Sequence, residues 1–194
     1  MASAVVAQVP FDARRVVVRG TSGSGKTAMA QRIAATLRIT HVELDAVFHQ
    51  PGWTPLSDEA FAARVASVAE QEAWVVCGNY RLVADLLMAR ADTAILFDLP
   101  RRIVMTRIVR RTLRRVVRRQ ELWNGNRERW RNLFSLDPEE SVIAWAWTTH
   151  AERHERIVEF LAHPPRGDLR LVHIATRDDE RLVYAGLRDP VHVT

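Results

Sequence analysis

Short apolar runs alternate along this chain with longer stretches of helical periodicity. Arg15-Val16-Val17-Val18-Arg19 is a β-branched run that stops at Gly20, and such side chains favour a pleated strand. Further strands are expected at 41–44, 74–77, 93–97 and 169–175, each closed by a turn former or an acidic residue. Helices are expected at about 26–37, from Ser57-Asp58 to about 71, at 82–89, 101–119 and 178–186. Asp137-Pro138-Glu139-Glu140 combines an N-cap residue, proline at the first helical position and Glu three residues after the cap, so a long helix is expected from there to about 162. His163-Pro164-Pro165 then breaks it.

Five short strands separated by helices predict a parallel sheet covered on both faces. Parallel strands need crossover connections, and each helix must bury an apolar stripe. The expected fold class is α/β, with three layers around a doubly wound five-stranded parallel sheet. One domain over 1–194 is expected, with a helical, Arg-rich lid at about 107–136.

Composition narrows the class without naming it. The 194 residues are 47% hydrophobic and 26% charged, which excludes a disordered or collagen-like chain. Cys77 is the only cysteine, so no disulfide framework is possible. The apolar stretch 2–9 is short and has no basic residue ahead of it. Neither a signal peptide nor a membrane span is expected, and the cytoplasm is the expected compartment. Charge is unevenly spread: residues 101–131 hold 12 arginines against Glu121 and Glu128, a local net charge of +10, while the remainder is at −5 with 16 basic and 21 acidic residues. A field concentrated in this way suits phosphate, on a nucleotide or on a nucleic acid.

Gly20-Thr21-Ser22-Gly23-Ser24-Gly25-Lys26-Thr27 matches G-x-x-x-x-G-K-[ST], with a strand before it and a helix after. Its glycines let backbone N–H groups curl around phosphate, and the helix N-terminus adds partial positive charge. Ser22, Gly23, Ser24, Gly25, Lys26, Thr27 and Ala28 are therefore expected to bind ATP, with Lys26 on the β/γ oxygens and Thr27 on Mg²⁺. Cys77-Gly78 ends the third strand with no acidic residue, where motor and switch NTPases usually carry one. Asp45 and Asp98 end the second and fourth strands, at the edge where open α/β sheets bind ligands. Asp45, followed by a long loop, is the better candidate for accepting a substrate hydroxyl proton or holding a Mg²⁺-bound water. Asp98, ahead of Leu99-Pro100, reads as a cap.

The chain resembles known families at these points. Gly78-Asn79-Tyr80-Arg81 looks like the G-F-P-R segment of adenylate kinases, and Pro100 followed by Arg107 and Arg111 looks like the helix leading into their lid. That resemblance implies Arg107 at the adenine face, Arg111 at the transferred phosphate and Arg81 on an anionic group of the acceptor. Arginines at i and i+4 do share one helix face, and a guanidinium suits both stacking and bidentate phosphate binding. Over roughly 15–175 the chain is similar to the adenylate-kinase-like P-loop family named DNA topology modulation proteins. The matching points are Glu43-Leu44-Asp45, Pro51-Gly52-Trp53, Gly78-Asn79-Tyr80, Phe97-Asp98-Leu99-Pro100-Arg101 and the later Trp145, Trp147 and His150. Cys77, Asn79 and Tyr80 depart from true adenylate kinases and favour small-molecule kinases with an Asp after strand two.

Arg107, Arg111, Arg114, Arg115 and Arg118 fall near one helix face, with Ile108, Leu113, Val116 and Val117 left for the core or a lid contact. Trp123 and Trp130, interleaved with Arg127, Arg129 and Arg131, suit lid packing or the stacking of single-stranded bases. His150 and His154 are spaced for a metal but lack further ligands, so they read as ordinary helix residues. Trp145 and Trp147 read as core or acceptor-pocket walls, and Phe48 and Trp53 as acceptor-site walls or loop anchors. The sequence thus points to a Mg²⁺-dependent kinase moving the γ-phosphoryl group of ATP to a small acceptor, such as a nucleotide, a nucleoside or another hydroxyl compound. Lys26, Asp45 and Arg111 would be catalytic, Thr27 and Asp45 would hold the metal, and Asp45, Arg81 and Trp53 would take the acceptor. The alternative is an ATP-dependent nucleic-acid-binding regulator affecting DNA topology.

Overall fold

The computed structural model describes residues 7–118, 120–127 and 141–187. Strands β1 (Arg15–Gly20), β2 (Thr40–Glu43), β3 (Trp74–Cys77), β4 (Thr93–Phe97) and β5 (Arg170–Ile174) form a parallel sheet in the order β2-β3-β1-β4-β5. Successive strand side chains point to opposite faces. Val16, Val18, Val75, Ile95, Phe97 and Ile174 meet Met29, Ala30 and Ile33 of α1 (Lys26–Leu37) and Val183 of α7 (Arg177–Gly186). Val17, Trp74, Val76, Ala94 and Leu171 meet Phe61 and Val65 of α3 (Asp58–Ala69) and Leu87 and Met88 of α4 (Ala84–Arg90) on the other face. Helices on both faces explain why β3 and β4 are buried along their whole length with no polar alternation. The three-layer doubly wound sheet expected from the sequence is the observed one.

Differences cluster where the chain leaves the sheet toward the cleft. After β2 the backbone turns at once into a short helix, α2 (Leu44–Phe48), and Asp45 sits in its first turn where an open connection was expected. Leu44 drives that turn, because it is fully buried against Gly78. Helix α5 (Arg101–Val117) buries Val104, Ile108 and Thr112, one residue per turn on a single face. Leu113 and Val117, expected to serve the core or a lid contact, are turned away and stand 53% and 73% exposed. Helix α6 (Val142–Ala162) starts at Ser141, whose hydroxyl accepts from the Ala144 N–H. Ser141 has extended backbone, so the helix does not run in from the expected Asp137-Pro138 start, which lies outside the described residues.

The β4–α5 turn is held by α6 and β5. His150 Nε2 lies 3.0 Å from the Leu99 carbonyl. His154 Nδ1 lies 2.8 and 2.9 Å from the two Asp98 carboxylate oxygens, and His173 Nε2 lies 3.4 Å from Oδ2. Asp98 therefore does not cap α5, which has no side-chain cap at all. It is a nearly buried carboxylate gripped by two imidazoles, and His150 and His154 serve to anchor α6. Burial alone would raise the Asp98 pKa, but the hydrogen bonds and charges of His173 and His154 outweigh it and hold the carboxyl below its ordinary value.

Two stability predictions follow from these contacts. Gly78 has φ 145°, and a Cβ there would lie 2.7 Å from the Leu44 Cβ. Gly78→Ala should therefore cost about 1–3 kcal/mol in urea unfolding through overpacking. Asp98→Asn should destabilise the protein at neutral pH. A depressed carboxylate pKa stabilises fully above the unfolded value of about 4 and loses that contribution as pH falls through the lower folded value. The gap in unfolding midpoint between wild type and Asp98→Asn should accordingly close under acid.

Candidate active site

A cleft of about 1620 Å³ opens at the carboxyl edge of the sheet. Its floor is the turn between β1 and α1. Gly25 stands just ahead of α1 with φ 109° and no side chain over the helix end, so the first amides of α1 open toward the cleft. Gly23 lets α5 press onto the same turn, since a Cβ there would lie 2.9 Å from the Ile108 Cβ. Ser22, Gly23, Gly25, Lys26, Thr27 and Ala28 line this part of the cleft, together with Arg107 and Arg111 of α5. Ser24 does not line it and is buried beneath, its carbonyl accepting from Arg107 Nη1 at 2.8 Å.

The two α5 arginines are held from behind. Arg107 pairs bidentately with Glu180 of α7 at 2.9 and 2.5 Å. Arg111 Nη2 donates to the Ser22 hydroxyl at 3.1 Å. Both guanidinium groups are thus prearranged beside the turn, with little rotamer freedom left to lose when an anion arrives. The Lys26 pKa is lowered, first by burial and then by Arg111, while Asp45 opposes the shift.

Two carboxylates face the turn from β2 and α2, and they have different partners. The Thr27 hydroxyl donates to Glu43 Oε1 at 2.9 Å, so the acid on Thr27 is Glu43. Asp45 instead accepts from the Tyr80 hydroxyl at 2.8 Å. Burial and the neighbouring Asp45 push the Tyr80 phenol pKa up, which keeps it a donor. Burial and Glu43 likewise push the Cys77 thiol up to about 12, so it stays protonated beside Thr27. Asn79 clamps the start of the glycine-rich turn: its Nδ2 donates to the Gly20 carbonyl at 2.6 Å and its Oδ1 accepts from the Gly20 N–H. Asn79 and Tyr80, the positions that depart from G-F-P-R, therefore orient the turn and Asp45.

The far wall comes from loops and from α6. Arg81 is exposed at the rim, and Arg153 stacks over Trp145 at 4.3 Å inside the cleft. Burial lowers the Arg153 pKa, and so do the neighbouring Arg156 and Arg19. Trp147 is not a core or pocket residue: it is 54% exposed beneath Arg101. Segment 120–127 docks on the loop after α2. Asn124 Nδ2 donates to the Ala46 and His49 carbonyls at 3.1 and 2.6 Å, and Asn126 Nδ2 donates to the Gln50 carbonyl at 2.9 Å. In return the Trp53 N–H donates to Asn126 Oδ1 at 2.8 Å, and Trp53 Nε1 donates to the Arg127 carbonyl at 3.3 Å. His49, Trp53 and Trp123 then form an aromatic cluster with ring centroids 5.3–6.3 Å apart.

Sequence reasoning missed Glu43 on Thr27, Tyr80 on Asp45 and Arg153 in the cleft, while Trp123, expected in lid packing or base stacking, packs on His49 and Trp53. Glu43 and Tyr80 lay inside quoted motifs, but nothing local says which carboxylate meets Thr27. Trp130, Arg129 and Arg131 lie outside the described residues. Among the described residues no group of three His, Cys, Asp or Glu is arranged to hold a metal, and no helix is long and apolar enough to cross a membrane.

The fold and its glycine-rich turn define a P-loop α/β architecture. The chain superposes on a shikimate kinase from Bacteroides thetaiotaomicron with a TM-score of 0.53 at 13% identity, over 91% of this chain and 95% of that one. Looser likenesses include a gluconokinase from Sinorhizobium meliloti 1021, with TM-score 0.49 and 22% identity over 90% and 91% of the two chains. A shikimate kinase from Acinetobacter baumannii in complex with shikimate has TM-score 0.49 and 13% identity over 93% and 97%. The first superposition shows a shared fold. No family model matches the chain, and no curated protein matches it in sequence.

Lys26 is the only lysine, so ¹³Cε-lysine labelling gives a single side-chain signal to titrate. Its midpoint should lie below the ordinary value of about 10.4. Asp45→Asn should lower it further, because the carboxylate is the main group raising it.

Proposed function

We propose that this protein is a kinase that transfers the γ-phosphoryl group of ATP, with Mg²⁺, to a hydroxyl of a small acceptor. The observation that carries the reading is a single cleft with a phosphate-binding turn on one side and the Asp45–Tyr80 pair on the other. At about 1620 Å³ the cleft exceeds the roughly 300–1,000 Å³ typical of one small ligand, which supports two substrates side by side.

The turn amides and Lys26 hold the β- and γ-phosphates, and Arg107 and Arg111 neutralise charge from the α5 side. The acceptor hydroxyl lies against Asp45, which takes its proton as the oxygen attacks the γ-phosphorus and the bond to the β,γ-bridging oxygen breaks. Tyr80 keeps the Asp45 carboxylate turned toward that hydroxyl. Arg81 and Arg153 suit an anionic group on the acceptor, and Trp53 walls its pocket. Segment 120–127 covers the acceptor side and excludes the water that would hydrolyse ATP.

Mg²⁺ fits this donor set. It is bound with few protein ligands and with substrate phosphates, and when bound it spreads the charge of the transferring group. Thr27 supplies the protein oxygen: its proton is committed to Glu43 and the Cys77 thiol makes a long contact to it, which leaves one hydroxyl lone pair for a metal. Glu43 and Asp45 suit metal-bound waters. The basic helix turns Arg107, Arg111 and Arg115 into the cleft, which weighs for a nucleotide over a nucleic acid.

ATP consumption should rise with one member of a panel of nucleoside monophosphates, nucleosides, sugars and hydroxy acids at fixed Mg²⁺. Lys26→Ala should lower that turnover by about 10²–10³-fold, and Asp45→Ala by about 10²–10⁴-fold. Nucleotide binding with no acceptor above the Lys26→Ala background would sink the reading.

A further inference from the structure

Glu43 uses both carboxylate oxygens on partners from different parts of the chain. Oε1 accepts from the Thr27 hydroxyl and Oε2 accepts from Trp123 Nε1–H, each at 2.9 Å. Trp123 packs against a pair of rings that touch each other, near-parallel to His49 at 6.2 Å and perpendicular to Trp53 at 6.3 Å. The next residue, Asn124, takes a left-handed backbone with φ 54° so that its side chain reaches the Ala46 and His49 carbonyls. The indole N–H is therefore a fixed donor delivered to Glu43 by the docked segment, not a mobile side chain that happens to be near.

We propose that Trp123 is a positioning residue for the metal of the nucleotide complex, acting through Glu43 on Thr27. A glutamate has three side-chain torsions, and the Thr27 hydroxyl rotates freely unless its proton is taken. With Oε2 fixed by the indole, Oε1 stays where it accepts the Thr27 proton, and the Thr27 oxygen, which also takes the long contact from the Cys77 thiol, keeps one lone pair for the metal. Outer partners that orient a ligand in this way commonly change metal affinity by about 10–100-fold when removed. One consequence is mutual dependence: docking of 120–127 on the acceptor loop strengthens metal binding, and metal binding strengthens docking. The inference rests on the kinase reading only in taking Thr27 as the metal's protein ligand.

The test is Mn²⁺ affinity of the complex with a non-hydrolysable ATP analogue, read by electron paramagnetic resonance, beside calorimetry of the same analogue without metal. Trp123→Phe keeps the ring and deletes the donor. It should leave metal-free analogue affinity within about twofold while Mn²⁺ affinity falls about tenfold. Glu43→Gln should lower Mn²⁺ affinity similarly, and the double variant should lose little more, since the two residues act as one unit. Asn124→Gly keeps the left-handed backbone at an exposed position and removes two docking hydrogen bonds. It should also weaken Mn²⁺ binding, and it serves if Trp123→Phe does not fold. Wild-type Mn²⁺ affinity in Trp123→Phe or, where that variant does not fold, in Asn124→Gly overturns the proposal, as does additive loss in the double variant. Failure of wild type to bind the analogue at all would instead strike the kinase reading.

Discussion

The cleft depends on how closely α5 and α7 approach the turn between β1 and α1. The Ile108 Cβ comes within 2.9 Å of where a side chain on Gly23 would begin, and Glu180 Oε1 within 3.2 Å of the same point on Gly25. Any side chain at Gly23 would push α5 outward, and with it the two arginines that line the cleft beside the turn. The bidentate Arg107–Glu180 pair then ties α7 to α5 across the top of the turn. Backbone amides can present a fixed face to a cleft only when the backbone itself is immobile, and here three elements pack the turn in place.

From that fixed floor the rest of the cleft is arranged by hydrogen bonds that jump long distances in sequence. Asn79 at the end of β3 takes both backbone groups of Gly20, which locks the turn to the neighbouring strand. Tyr80 turns Asp45 into position, and Glu43 takes the Thr27 proton. Because Cys77 stays a neutral thiol, the negative charge near Lys26 comes from β2 and α2. The acidic side of the cleft has in effect moved one strand over from where an acid ending β3 would put it, and the long connection that follows supplies a wall of the cleft.

Asp98 illustrates a different division of labour. It lies at the same sheet edge as Asp45, yet two histidines occupy it and it faces no catalytic partner. It pins α6 against the β4–α5 turn, and α6 in turn carries Arg153 and Trp145 into the cleft. One aspartate at this edge organises the scaffold while the other lines the cleft.

Strand positions, the parallel α/β class and a glycine-rich turn between β1 and α1 were legible in the sequence. Each rests on near neighbours: β-branched runs, helical spacing, and glycines ahead of Lys26-Thr27. Boundaries failed where tertiary contact overrode local signals, as at Leu44, whose burial against Gly78 converts an expected connection into helix α2. The choice between Glu43 and Asp45 as partner of Thr27, the histidines on Asp98, and the docking of Trp123 to Asn126 on the loop after α2 were decided only by the folded chain. Their partners lie 16 to 80 residues apart, and which side chains meet across such distances is set by the packing of helices on the sheet, which no local pattern encodes.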